Sequence, residues 1–135
     1  MMKAIIFDFF GVLEKNGEAN QLLLVYIKEK LKPKYKLGVI SNSADDWPAK
    51  ILSPEQVKLF DNVTLSFQAG VAKPEVAIYA MALEKLGVRA DEAVFVDDIE
   101  AFCGAARSVG MKAIRYDNFP QMSRELQKLL AVAND

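Results

Sequence analysis

Histidine is missing altogether from these 135 residues, and cysteine and tryptophan occur once each. Without histidine there is no Ser-His-Asp triad, no His-ligated zinc and no imidazole general base. Any chemistry must therefore rest on Asp, Glu, Lys, Ser and backbone groups. The lone Cys103 excludes an intramolecular disulfide and reads as a small buried apolar residue. Charge of one sign is not in excess either: 17 basic residues stand against 18 acidic ones, with no basic block, so nucleic acid is not an expected partner. No run approaches the roughly 20 apolar residues that span a bilayer, and no basic region followed by an apolar signal segment opens the chain. The expectation is a protein of the reducing cytoplasm with no membrane partner. Repeats, low-complexity tracts and linkers are missing too.

What remains is material for one domain, residues 1–135, in which 52% apolar residues suffice for a core without staples. Lys3–Asp8 is a short apolar run ending in an acid, a strand covered on both faces. Asn16 precedes a predicted helix carrying Leu22, Leu23, Tyr26, Ile27 and Leu31 at helical spacing, ended near Pro33. Leu37–Ile40 is a second strand, running into Ser41-Asn42-Ser43. Residues 44–60 read as short helical pieces around Pro48 and Pro54. Val63–Ser66 is a third strand. Pro74 sits near the start of a helix with Ile78, Ala82, Leu83 and Leu86 on one face and Gly87 at its C-cap. Ala93–Val96 is the fourth strand, ending at Asp97-Asp98, followed by a helix to about Val109 that Gly110 stops. Lys112–Arg115 is the fifth strand, and Met122, Leu126, Leu129, Leu130 and Val132 mark a closing helix.

Continuously apolar strands alternating with helices predict a parallel sheet with helices on both faces. In such folds ligands sit beyond the carboxyl ends of the strands. There the polar residues gather: Asp8 after the first strand, Ser41 and Asn42 after the second, Lys73 before the helix that follows the third, Asp97 and Asp98 after the fourth.

These residues carry a family resemblance. Phe7-Asp8-Phe9-Phe10-Gly11-Val12-Leu13 resembles the first motif of the haloacid dehalogenase-like hydrolase superfamily. Ile40-Ser41-Asn42-Ser43 resembles its second, Gly70-Val71-Ala72-Lys73-Pro74 its third, and Val94-Phe95-Val96-Asp97-Asp98 its fourth. The likeness continues through Ala105-Ala106 and Gly110-Met111 and covers almost the whole chain after residue 36. It implies a single three-layer Rossmann-like domain with a five-stranded parallel sheet. It also implies a phosphohydrolase in which Asp8 attacks phosphorus to form an aspartyl-phosphate. Carboxylate oxygens with no His or thiolate suit Mg²⁺, held by Asp8, Asp98 and the Phe10 carbonyl, with Asp97 in or beside the shell. Ser41 and the Asn42 backbone N–H would hold phosphoryl oxygens, and Lys73 would neutralise charge and restrain Asp8.

The chain departs from the family pattern in two respects. The aspartate serving as general acid and base would fall at position 10, where Phe10 can neither give nor take a proton. General acid–base catalysis is worth roughly 10²–10⁴-fold, so weak phosphatase activity is expected. Glu14 is the nearest acid along the chain, and nothing in the sequence aims it at the site. Phe102 likewise replaces an Asn common in the phosphatases. Second, only about one helix separates Leu13 from the second strand, so the helical cap is missing. Covering the site would then need a large substrate, a protein partner or a second copy of the chain. Two alternatives stay open: a pseudo-enzyme that binds a phosphorylated ligand or a protein without turnover, and a C–halogen hydrolase, which the aromatic at position 10 suggests and the acidic pair opposes. Asp8, Asp97 and Asp98 have a plainer reading as caps of the turns that follow them, and Trp47 reads equally as packing or as site rim.

Overall fold

A computed structural model describes residues 1–133, with side-chain surroundings through residue 131. Five parallel strands form the central sheet: β1 (Ala4–Phe7), β4 (Lys36–Ser41), β5 (Asn62–Leu65), β6 (Ala93–Asp97) and β7 (Lys112–Arg115), in the order β5-β4-β1-β6-β7. β1, the most apolar strand, lies in the middle, and all four of its residues are buried. Side chains on a strand point alternately to opposite faces, so its continuous apolar run serves two cores. Ile5 and Phe7 join Leu37, Val39, Val94 and Val96 in the core on one face. Ala4 and Ile6 join Ile40, Ala93 and Phe95 on the other.

Helices α1 (Gln21–Tyr26) and α7 (Phe119–Ala133) supply apolar residues to the first core; α5 (Val76–Leu86) and α6 (Glu100–Ser108) supply the second. On α5 the expected face of Ile78, Ala82, Leu83 and Leu86 is buried, and Gly87 caps it at φ 70°. On α7, Met122, Leu126 and Leu130 are buried and Leu129 is half-buried; the Val132 side chain lies outside the described residues. Three short helices, α2 (Trp47–Ile51), α3 (Pro54–Val57) and α4 (Ser66–Ala69), complete the layers. Pro48 and Pro54 each stand in the first turn of their helix, where a missing N–H is harmless.

The structure corrects the sequence reading between residues 14 and 31. Asn16 does not precede a helix. It occupies, with Gly17, the turn of a small hairpin, β2 (Glu14–Lys15) paired with β3 (Glu18–Ala19), at φ 55° and 83°. Asn-Gly is the residue pair that such left-handed hairpin turns favour. The N-cap of α1 is Asn20, whose Oδ1 accepts from the Leu23 N–H at 3.3 Å. Starting the helix there turns Leu22 outward, 62% exposed, and buries Leu23 and Leu24. The helix continues as a π-helical turn, Ile27–Leu31. The hairpin and this one helix fill the space between the first two strands of the sheet, and no cap domain is inserted there. Ser66 leaves the third strand early and opens α4.

Candidate active site

Register brings the acids together. Phe7 is paired with Val96, so Asp8 and Asp97 leave neighbouring strands at the same level, and the Asp8 N–H bonds the Val96 carbonyl at 2.8 Å. By alternation both acids fall on the α5/α6 side of the sheet, and Lys73 reaches them from the segment leading into α5. Lys73 Nζ donates to Asp8 Oδ1 at 2.7 Å and to Asp97 Oδ2 at 2.8 Å. The three side chains are buried, with exposures of 1%, 7% and 0%. The Lys73 ammonium also lies 5.6 Å from the Phe95 ring and 5.0 Å from the Phe102 ring, so the cation is walled by aromatic faces.

Asp98 completes the cluster. One carboxylate oxygen from each of Asp8, Asp97 and Asp98 lies within 4.8 Å of the others. Asp98 Oδ1 is buried without a hydrogen-bond partner, while Asp98 Oδ2 rests against Gly11 so closely that a Cβ there would overlap the carboxylate. Gly11 also sits at φ 85°, which favours glycine. Burial pushes the Asp8 carboxyl up to about 8; Lys73 draws it down, and Asp97 and Asp98 oppose that. Burial likewise raises Asp97. Three carboxylates thus face one ammonium in a desolvated corner, one with an orphaned oxygen. All donors are hard oxygens, a set that fits a divalent cation such as Mg²⁺.

The expected site residues are not all engaged in the expected way. Asp97 has Oδ2 on Lys73 and Oδ1 on the Ile99 N–H at 3.0 Å, so it acts as the turn cap of the plainer reading and as the lysine's partner together. That leaves Asp8 and Asp98 as the acids best placed for a cation. Ser41 is fully buried, its Oγ 2.7 Å from Ser43 Oγ. Ser43 is tied in turn to Ser66, whose Oγ accepts from the Ser43 N–H at 2.9 Å. The Asn42 side chain clamps the Lys73 backbone, donating to its carbonyl at 3.0 Å and accepting from its N–H at 2.8 Å. Glu14 does not face the site: its carboxylate accepts from the Gly17 N–H at 2.8 Å inside the hairpin turn. Phe10 is 36% exposed and stands edge-on to Phe9. Trp47 is 40% exposed at the start of α2, with Lys50 Nζ 4.9 Å from its ring.

Three participants escaped the sequence reading. The Asn42 side chain gave no signal, because only the fold reveals that it meets Lys73. Phe102 stood out as a departure, but its place against Lys73 depends on how α6 packs. Gly11 lay inside the first motif, and its contact with Asp98 follows only once β1 and β6 are neighbours.

Comparison with known proteins agrees with this fold. The family model described as haloacid dehalogenase-like hydrolase matches residues 23–116. Drimenol cyclase drtB of Aspergillus calidoustus is 30% identical over 90% of this chain and 20% of its own length. Glyceraldehyde 3-phosphate phosphatase of Pyrococcus furiosus is 31% identical over 88% of this chain and 50% of its own length. The chain thus spans half or less of these relatives. An uncharacterised protein from Corynebacterium glutamicum superposes with a TM-score of 0.85 at 26% identity, covering 97% of this chain and 96% of that one. A haloacid dehalogenase family enzyme from Bacteroides thetaiotaomicron, solved with magnesium and inorganic phosphate, superposes with a TM-score of 0.74 at 19% identity, covering 87% and 95%. No helix among the described residues is long and apolar enough to cross a membrane. With its motif residues gathered at one edge of the sheet and a family match over residues 23–116, the chain belongs to the haloacid dehalogenase-like hydrolases.

Proposed function

We propose that the chain is a Mg²⁺-dependent phosphohydrolase of low turnover with Asp8 as nucleophile. One observation carries the reading: Lys73 holds Asp8 and Asp97 from the buried side while Asp98 keeps an oxygen free beside them. A bound divalent cation, held by Asp8, Asp98 and the Phe10 carbonyl, would screen the charge between an anionic nucleophile and an anionic phosphate. The chain's own residues do the rest. Lys73 fixes one oxygen of Asp8, leaving the other to attack, and Asn42 holds Lys73 in place through its backbone. The Asn42 N–H and the Ser41 hydroxyl, once released from Ser43, offer donors to the phosphoryl oxygens. The relative that acts on glyceraldehyde 3-phosphate and the structural neighbour holding magnesium and phosphate support the same reading. With no cap domain, a bulky substrate, a protein partner or a second copy is left to exclude water from the site.

The test is phosphate release from an activated aryl phosphate with and without Mg²⁺, beside the Asp8→Asn variant. Metal-dependent release that Asp8→Asn removes is expected; absence of any such release overturns the reading. Phe10, and the engagement of Glu14 in its hairpin, favour a second reading, a phosphate-binding protein without turnover. Robust Asp8-dependent hydrolysis of any substrate would end it.

A further inference from the structure

We infer that the site is selective for phosphate monoesters of phenols over those of aliphatic alcohols, an inference that rests on the phosphohydrolase reading and names its substrate class. Two independent observations converge on it. The first is that, among the described residues, position 10 and the groups bonded around Asp8 leave none free to protonate the departing oxygen. Position 10 holds Phe, Glu14 is bound to the Gly17 N–H, both Asp97 oxygens are taken, and Lys73 is spent between two carboxylates. The leaving oxygen therefore departs as an anion, and the barrier rises with the pKa of its alcohol. A phenol, at about 10, leaves far more readily than an aliphatic alcohol several units higher.

The second observation is the rim. Among the described residues, four of the exposed large apolar side chains lie in the segments that follow four adjacent strands. Phe67 follows β5, Trp47 follows β4, Phe10 follows β1 and Ile99 follows β6. Phe10 is two residues past Asp8, Ile99 directly follows Asp98, and the Phe67 N–H bonds the Ser43 carbonyl at 3.2 Å. Phe67 and Val71 also line an open cleft that begins at Asn42 and Ser43. Phe67 and Val71 offer this cleft apolar faces for a flat group, beside the polar Asn42, Ser43, Ser66 and Glu75.

In the reaction an Asp8 oxygen attacks phosphorus while the bond from phosphorus to the phenolic oxygen breaks. The electron pair leaves on the phenolate, which takes its proton from water. A second water then attacks phosphorus and breaks its bond to Asp8, its hydroxyl going to inorganic phosphate and its proton to the hydroxide left by the first water, which returns the Asp8 carboxylate. The same phenyl phosphate group is presented by a free aryl phosphate or by a phosphotyrosine side chain in a peptide.

The experiment compares phenyl phosphates of graded leaving-group pKa with alkyl phosphates, and a phosphotyrosine peptide with its phosphoserine counterpart. Acetyl phosphate, whose leaving group is good but not aromatic, and the Phe10→Asp, Glu75→Gln and Asp8→Asn variants accompany them. Calorimetric titration of phenylphosphonate against methylphosphonate, in the parent and in Phe67→Ala, reads binding apart from turnover. Expected is kcat/KM that falls steeply as leaving-group pKa rises, with alkyl esters gaining about 10²–10⁴-fold in Phe10→Asp. Phenylphosphonate should bind more tightly than methylphosphonate, and Phe67→Ala should remove about three- to tenfold of that preference. Aryl and alkyl esters turned over within tenfold of each other overturn the inference. So does loss of alkyl turnover in Glu75→Gln, which would make Glu75, the carboxylate lining the cleft, the missing acid. Asp8-dependent turnover of acetyl phosphate without aryl turnover overturns the substrate class and leaves the phosphohydrolase reading standing. No Asp8-dependent turnover of anything removes both. Preference for the phosphotyrosine peptide over free phenyl phosphate, or the reverse, identifies the source.

Discussion

Replacing Lys73 with Met keeps an unbranched side chain against Phe95 and Phe102 but removes the cation that the acid cluster holds. Two ion pairs disappear, at 2.7 and 2.8 Å, from groups that solvent scarcely reaches. Stripping one partner from a buried pair costs about 3–5 kcal/mol, because the remaining charge is left uncompensated. The cost depends on pH with a definite sign. The folded-state Asp8 carboxyl is raised by burial to about 8 from an ordinary 3.8, so between those values the folded state binds more protons than the unfolded one. Stability of the metal-free parent therefore falls as pH rises from about 4 to about 8. Losing Lys73 removes the influence that draws Asp8 down, so the variant should lose further stability above pH 8 and little near pH 4, where the acid is neutral in both. With a urea slope of about 2 kcal/mol per molar, the shift at pH 8.5 in chelator is about 1.5–2.5 M in the unfolding midpoint. Urea titrations followed by circular dichroism at pH 4.5 and 8.5 would measure it. A shift of equal size at both pH values would refute the electrostatic reasoning and assign the loss to packing; no shift at pH 8.5 would refute the buried ion pairs themselves.

Gly11→Ala should strain a positive-φ position and push into the Asp98 carboxylate; a fall in Mg²⁺ affinity exceeding any fall in stability, read by calorimetry and denaturation together, is expected. Asn20→Ala removes the α1 cap together with bonds to the Val12 carbonyl at 2.9 Å and the Tyr116 hydroxyl at 3.0 Å. Loss of about 1–2 kcal/mol in denaturant is expected, as for a typical cap, and a neutral result would show that the hairpin and helix are held elsewhere. Cys103 is buried, and burial pushes its thiol up to about 11; alkylating reagents at pH 8 should label it only in denaturant, and rapid labelling of the native protein would contradict the packing of α6 on the sheet.

Much of this site could be read from the chain because a buried parallel strand is a continuous apolar run with a conspicuous end. Asp8 closes one such run and the Asp97-Asp98 pair another, and sheet topology then has little freedom but to bring them to one edge. Where the reading failed, the cause was local. Between residues 14 and 20 the Asn16-Gly17 turn signal lies beside a helical pattern that masks it; the turn moves the N-cap of α1 to Asn20, turns Leu22 outward and engages Glu14 within the hairpin. Asn42 reads as an ordinary loop residue until Lys73, 31 residues away, is placed beside it.

The sequence alone determined the layered architecture and the strand ends that carry the acids, since these follow from which residues are apolar and charged, and it placed Phe10 where the family resemblance implies an acid–base aspartate. Tertiary structure alone decided how the charges are shared: Lys73 between Asp8 and Asp97, Asp98 with an oxygen to spare, and Phe102 against the ammonium. The physical reason is distance. Periodicity and turn chemistry act over a few residues, whereas charge pairing and desolvation depend on groups that only strand register and helix packing bring within a few ångströms.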